Sequence, residues 1–296
     1  TTGEAHPGTL LSAMLVWLDA RHNGLRTEVR YEDLDPQRST PERRIQMRED
    51  LAWLGIDFDR VTIQSEFRAR HEFALDQLEA QGLLYPCAAS RAELRAVGTR
   101  APDDAFAYDN RGRARSLPAG GWRSCDEPIR VRLPDRTMRL EDESGAVVEH
   151  ALSEFGDPVV RRRDGAVAYQ LASVVDDAAS DVSRVVRGRD LLAGTLVQMA
   201  LQDLLELPRP RYRHHFLLLE RRDEKFSKLH GAVGVGALRE KYTPHELIGI
   251  LANVSGLASS SKPVALDAID FDWQRVRAED LLMEVSPAGE LVWVKR

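Results

Sequence analysis

Cysteine is scarce: Cys87 and Cys125 are the only two in 296 residues. That excludes a disulfide framework and points to a reducing compartment. Long apolar runs are missing as well. Nothing approaches the roughly 18 residues needed to cross a bilayer, and no secretory signal is read at the start. The expectation is a soluble, cytoplasmic protein with no membrane partner. Positive charge is not in excess either: 41 Lys and Arg face 47 Asp and Glu, a formal net charge of −6. A chain so balanced does not advertise nucleic-acid binding, which would need local patches. Arg111, Arg113, Arg115 and Arg123 form one candidate patch, and Arg161, Arg162 and Arg163 another. Each reads equally as a solvated face. Internal repeats and low-complexity tracts are absent.

What is present is an ordinary globular composition, 43% hydrophobic, in a chain long enough for one large or two to three modest domains. Leu10, Leu11, Met14, Leu15 and Leu18 recur at helical spacing, and Gly24 ends that run. Leu25, Thr27, Val29 and Tyr31 alternate with charged residues, which predicts a strand with one wet face. Ser39-Thr40-Pro41-Glu42 signals a helix start, capped by Ser39 in a capping box or by Thr40 ahead of a first-position Pro. That helix runs to about Leu54, and another covers Glu66 to Gln81. Strands alternating with helices predict an α/β fold with a parallel sheet. Residues 86–160 break the pattern with Arg, Asp, Gly and Pro, and read as an inserted α+β subdomain. The α/β pattern resumes at Ala166, and a helix carries Leu191, Leu192, Leu196, Met199 and Leu204. The expected boundaries are 1–85, 86–160, 161–235 and a helical C-terminal region, 236–296.

Two short motifs carry the chemistry. Thr2-Gly3-Glu4-Ala5-His6-Pro7-Gly8-Thr9 leads straight into the first helix. Pro7 is tolerated in a first turn because its missing N–H would be unpaired there anyway. His6 therefore stands at a helix N-terminus, where free N–H groups and the helix dipole attract phosphate. The plainer reading is a surface histidine at a loop-to-helix junction. Glu224-Lys225-Phe226-Ser227-Lys228 comes much later, in a polar loop after the apolar run Phe216 to Leu219. Two flexible ammonium groups can follow the charge of a triphosphate as it redistributes. The plainer reading is a solvated basic turn.

Together and in this order the two segments resemble the HIGH and KMSKS signatures of class I aminoacyl-tRNA synthetases. Thr9 in the last HIGH position is similar to the glutamyl branch. The resemblance extends through Arg30-Tyr31-Glu32-Asp33-Leu34-Asp35, Gln64-Ser65-Glu66, Ala168 to Asp177 and Val185 to Leu192, and covers residues 1 to about 235. Fewer than 70 residues follow Lys228, too few for the anticodon-binding region of bacterial glutamyl-tRNA synthetases. The chain thus resembles the shorter glutamyl-Q tRNA(Asp) synthetases.

That resemblance implies a Rossmann-like parallel sheet split by an acceptor-binding insertion. It implies activation of L-glutamate by ATP and transfer to the queuosine of tRNA(Asp), with Mg2+ accompanying ATP and a monomeric enzyme. His6 and Lys228 become catalytic candidates. His6, Gly8, Thr9, Lys225, Ser227 and Lys228 would bind ATP, and Glu32, Tyr169 and Arg187 glutamate. An acidic substrate suits Arg187 on chemical grounds too, because a guanidinium grips a carboxylate bidentately. Taken without the motifs, Tyr169 reads as core, Arg187 as an ion pair with Asp176 or Asp190, and Asp176 and Asp177 as structural or ribose-facing.

Two departures stand out. The family's zinc site uses Cys-x-Cys and then Tyr-x3-Cys; here Cys87 and Tyr108 remain, but Ala89 and Gly112 replace the other ligands. Cys125 lies outside that spacing. No zinc and no other bound metal is expected. The family also has a strand and an Arg-Phe-Ala-Pro-Ser-like segment ahead of His6, and the chain starts at Thr1. A chain trimmed at that end is the expectation; a true loss of the segment would cripple activation. Two other functions fit part of the pattern: a glutamate-activating enzyme with a non-tRNA acceptor, and a non-catalytic synthetase-like RNA-binding protein.

Overall fold

The computed structural model describes residues 5–35, 37, 39–219, 234–285 and 290–294. Pro and an adjacent cap start several helices. α1 (Pro7–His22) follows His6-Pro7, and after β1 (Glu28–Tyr31) comes α2 (Pro41–Trp53), whose Thr40 hydroxyl accepts from the Arg43 N–H at 3.4 Å. Of the two expected caps, Thr40 is thus the one used. β2 (Arg60–Ile63) and a 3-10 turn lead into α3 (Arg68–Ala80). Then come β3 (Leu84–Pro86), α4 (Arg91–Val97), β4 (Ile129–Val131), β5 (Thr137–Glu141), β6 (Val147–Ala151) and β7 (Val159–Arg161). α5 (Tyr169–Ala179), β8 (Arg184–Gly188), α6 (Thr195–Leu204), β9 (Arg211–His215) and β10 (Leu218–Leu219) follow. The chain continues as α7 (Val235–Lys241), α8 (Pro244–Ser255), β11 (Leu281–Val285) and β12 (Leu291–Val294).

The chain divides into two compact units. One comprises Thr1–Ile63, Val186–Arg189 and His215–Arg296. Its β1 and β2 pair in parallel, from Glu28↔Arg60 to Tyr31↔Ile63. β10 pairs in parallel with β11, which is antiparallel to β12. Leu10, Leu11, Met14, Leu15 and Leu18 of α1 are buried together with Phe216, Leu247, Leu251 and Leu281. The residues after 236 were expected to be helical. They form α7 and α8, but β11 and β12 close them, because Leu281 and Met283 alternate inward beside β10.

The other unit comprises Gln64–Val185 and Asp190–His214. Its sheet runs β3–β4–β7, all antiparallel, and β5 and β6 form a hairpin. α3, α5 and α6 bury Leu75, Leu78, Leu171, Val174, Leu196 and Leu201. Asp176 of α5 is fully buried, accepting from Gln64 Nε2 and pairing with His71 Nε2, both at 2.8 Å. Of its two readings from sequence, structural or ribose-facing, the structure gives the structural one. No described helix is long and apolar enough to cross a membrane.

Candidate active site

α1 begins at His6, which has extended backbone and acts as the cap. His6 Nδ1 accepts from the Thr9 N–H at 3.4 Å. A ring nitrogen that accepts is unprotonated, so the proton of the neutral imidazole is carried by Nε2. The cap thus places the His6 imidazole beside the N–H groups of a helix N-terminus, a setting that favours phosphate. Gly8 supports this geometry sterically. A Cβ at that position would stand 3.1 Å from His6 Cε1 and 3.2 Å from Nδ1, pressing on the ring. Thr9 supplies the capped N–H and lies within the first turn.

Glu32 is the first residue past β1, at the carboxyl end of a strand paired in parallel. Ligands of open α/β sheets bind beyond such ends. The strand is held by its partner, with Thr62 Oγ1 donating to Glu28 at 2.8 Å. Tyr31, which ends β1, is buried, and that burial pushes its hydroxyl pKa up. Arg187 is the next-to-last residue of β8 and half-buried. His6, Gly8, Thr9, Glu32 and Arg187 all belong to the first unit. Tyr169 belongs to the second unit. It is the first residue of α5 and 42% exposed, so it is not the core residue that its apolar neighbours suggest. Lys225, Ser227 and Lys228 lie outside the described residues.

Some supports were not legible from sequence. His215 is buried and its Nε2 meets Ser12 Oγ at 3.1 Å, one turn past Gly8, while Nδ1 meets the Phe216 carbonyl at 2.7 Å. Asp280 accepts from the Leu217 N–H at 2.7 Å and lies 3.5 Å from Arg189, two residues past Arg187. The links from His215 to Ser12 and from Asp280 to Leu217 and Arg189 join positions tens to hundreds of residues apart, which no local pattern encodes.

Six of the seven arginines in the two patches are engaged with protein groups. Arg115 forks onto Glu127 at 2.6 and 2.7 Å, Arg123 onto Asp76, Arg113 reaches Asp157 at 2.9 Å, and Arg111 lies 3.7 Å from Asp109. In the second patch Arg161 donates to the Cys125 carbonyl at 2.8 Å, and Arg162 pairs with Asp164.

Comparison with known proteins gives the family. Residues 1–257 match the family of tRNA synthetases class I (E and Q), catalytic domain. The glutamyl-Q tRNA(Asp) synthetase of Symbiobacterium thermophilum is 36% identical over 94% of this chain and 92% of its own length. The chain belongs to the glutamyl-Q tRNA(Asp) synthetase family. That of Xanthomonas axonopodis pv. citri is 41% identical over 78% of this chain and 73% of its own length. A glutamate tRNA ligase from Elizabethkingia meningosepticum, solved in complex with its amino acid, superposes with a TM-score of 0.77 at 25% identity. This chain is covered to 95% in that match but spans 65% of that ligase. Membership of the glutamyl-Q tRNA(Asp) synthetase family makes the chain a ligase of the class I aminoacyl-tRNA synthetase type with the α/β fold read from sequence.

Proposed function

We propose that this chain activates L-glutamate with ATP and transfers the glutamyl group to the queuosine of tRNA(Asp), acting as a monomer in the cytoplasm. The observation that carries the reading is the His6 cap: Nδ1 accepts from the Thr9 N–H, which sets the imidazole among the N–H groups at the start of α1. In the first step a glutamate α-carboxylate oxygen bonds to the α-phosphorus of ATP, and the bond from that phosphorus to pyrophosphate breaks. His6 Nε2–H and the Gly8 backbone hold the phosphates. Lys228, with Lys225 and Ser227, stabilises the charge that develops on the leaving pyrophosphate. Glu32 takes the substrate ammonium and Arg187 its side-chain carboxylate, both as charge-assisted contacts. In the second step a queuosine hydroxyl attacks the adenylate carbonyl and AMP leaves. Magnesium enters as the counter-ion of the ATP substrate, and among the described residues no group of three or more His, Cys, Asp and Glu is gathered to hold a metal. The domain plan that goes with this reading is a catalytic sheet over 1–85 and 161–235, an acceptor-binding insertion over 86–160, and a C-terminal region from 236.

ATP–pyrophosphate exchange with glutamate, run with and without tRNA, tests the first step. Transfer of labelled glutamate to queuosine-bearing tRNA(Asp) tests the second. Exchange with no transfer would leave the enzyme a glutamate activator with another acceptor. No exchange under either condition would sink the reading.

A further inference from the structure

The family resemblance implies a zinc ion in the insertion, and the residues present do not fit it. Structural zinc takes about four N, S or O ligands, and at the four positions Ala89 and Gly112 offer no side-chain donor beside Cys87 and Tyr108. Another cation stands there. Arg130, in the middle of β4 and only 6% exposed, donates from Nε to Cys87 Sγ at 3.2 Å. Its guanidinium lies 3.9 Å from the centre of the Tyr108 ring, and Nη1 donates to the Asp157 carbonyl. One planar cation therefore touches the residue after β3, the loop that carries Tyr108, and the turn before β7. These are segments that the family's ligand positions would also join.

The surroundings are built to match. The Gly112 N–H donates to Tyr108 Oη at 2.8 Å. A Cβ on residue 112 would stand 2.6 Å from that same oxygen, so position 112 is aimed at Tyr108 as a ligand pair would be, and only glycine lets the backbone close the gap. Asp157 extends the cross-link: it accepts from Tyr85 Oη and from the Leu133 N–H, each at 2.8 Å, and its own N–H donates to Asn110 Oδ1 at 2.7 Å.

We propose that the Arg130 guanidinium performs in this chain the cross-linking that zinc performs in the family, so that the insertion folds without metal and guanidinium and zinc exclude one another at one place. A buried guanidinium 3.2 Å from the sulfur that a zinc ion would bind opposes a second cation there, because like charges in a desolvated site repel.

The full chain, grown with added zinc and purified without chelator, should carry well under one zinc per chain by elemental mass spectrometry, and its Tm should not move with a chelator. The double variant A89C/G112C restores the four ligand positions. It should still lack zinc while Arg130 is present, and should take one zinc per chain once R130M is added. R130M and R130K alone should each lower Tm by about 5 °C or more, R130K no better than R130M, because an ammonium cannot reproduce the planar fork. Stoichiometric zinc in the unaltered chain would overturn the proposal. So would equal zinc uptake by A89C/G112C with and without Arg130, or an R130M protein of unchanged Tm. The measurement on the unaltered chain decides even if R130M does not fold.

Discussion

His6 uses its two nitrogens differently, and the difference can be measured. Nδ1 caps α1 and Nε2–H faces the nucleotide in the proposed reaction. Asn is among the strongest N-caps, so His6→Asn should keep Tm close to that of the unaltered chain. Glutamate-dependent pyrophosphate exchange should nonetheless fall by about 10²–10³-fold, the usual cost of one lost charge-stabilising donor. A variant with normal exchange would take the imidazole out of the chemistry. Gly8→Ala separates the same two roles from the other side. Ala favours a helix by about 1 kcal/mol over Gly, so thermal unfolding should be unchanged or later. The added Cβ presses on the His6 ring at 3.1 Å, so exchange should slow. A lower Tm with unchanged exchange would contradict that account. The candidate site was legible at this scale where local chemistry announces itself, as in the His-Pro-Gly helix start; Glu32 was read from the motif resemblance, and its place past the end of β1 comes from the structure. Arg130 against Cys87 was not legible, because the contact joins residues 43 positions apart. Asp142, His214 and Thr195 make the converse case. They form a linked carboxylate–imidazole–hydroxyl chain, at 2.9 and 3.2 Å, that imitates a hydrolytic triad. All three are buried, and the Thr195 hydroxyl donates to the Leu191 carbonyl at 2.8 Å. The chain is structural.

That chain fastens one element to another. Asp142 Oδ1 accepts from the Ser144 and Ala146 N–H groups at 2.8 and 3.1 Å, shaping the turn between β5 and β6. Its Oδ2 accepts from the His214 N–H at 2.6 Å and meets the ring Nδ1, tying the turn to β9, while Glu143 reaches Arg184 at 2.8 Å and Arg211 at 3.3 Å. Burial pushes the Asp142 carboxyl up, but the hydrogen bonds from His214 and Ser144 outweigh it and hold its pKa at about 2. The folded value is depressed, so this stabilisation is present above the unfolded pKa, near 4, and is lost as pH falls from there through about 2. A shift of that size corresponds to about 2 kcal/mol. Asp142→Asn should therefore be less stable by about that much at pH 6, and the gap to the unaltered chain should close between about pH 4 and 2. Denaturant melts across that range check it; a gap that stays constant down to pH 2 would refute the linkage. Elements were readable where caps and periodicity are local, as in α1 and α2. β11 was not, because its partner β10 is two residues long and about 60 positions earlier. The start of α5 carries no side-chain cap, so no sequence signal marks Tyr169 as its first residue.

The order of motifs along the whole chain announced an α/β synthetase, but not how the chain is shared between units. Residues after 257 lie beyond the family match, and sequence offered them only as the end of a helical C-terminal region. In the structure they complete the core that carries His6. Leu266, Phe271, Leu281, Met283 and Leu291 are buried in the same core as Leu10, Leu11, Met14 and Leu15 of α1. Trp273 Nε1 donates to Asp19 of α1 at 2.5 Å, and the Leu281 N–H donates to the Leu217 carbonyl at 3.0 Å. Burying a large apolar side chain is worth about 1.5–3 kcal/mol. Five of them amount to roughly 10 kcal/mol, comparable to the whole stability of an ordinary domain, about 5–15 kcal/mol. Removing residues 258–296 should therefore unfold the first unit rather than trim it. Hydrogen exchange should find the α1 amides unprotected in the shortened chain, while β3, β4 and β7 of the second unit keep their protection. Pyrophosphate exchange should disappear together with α1, since the His6 cap exists only while that helix does. If the shortened chain keeps α1 protected and exchanges pyrophosphate at the full rate, the C-terminal strands are not part of what holds the nucleotide end of this fold.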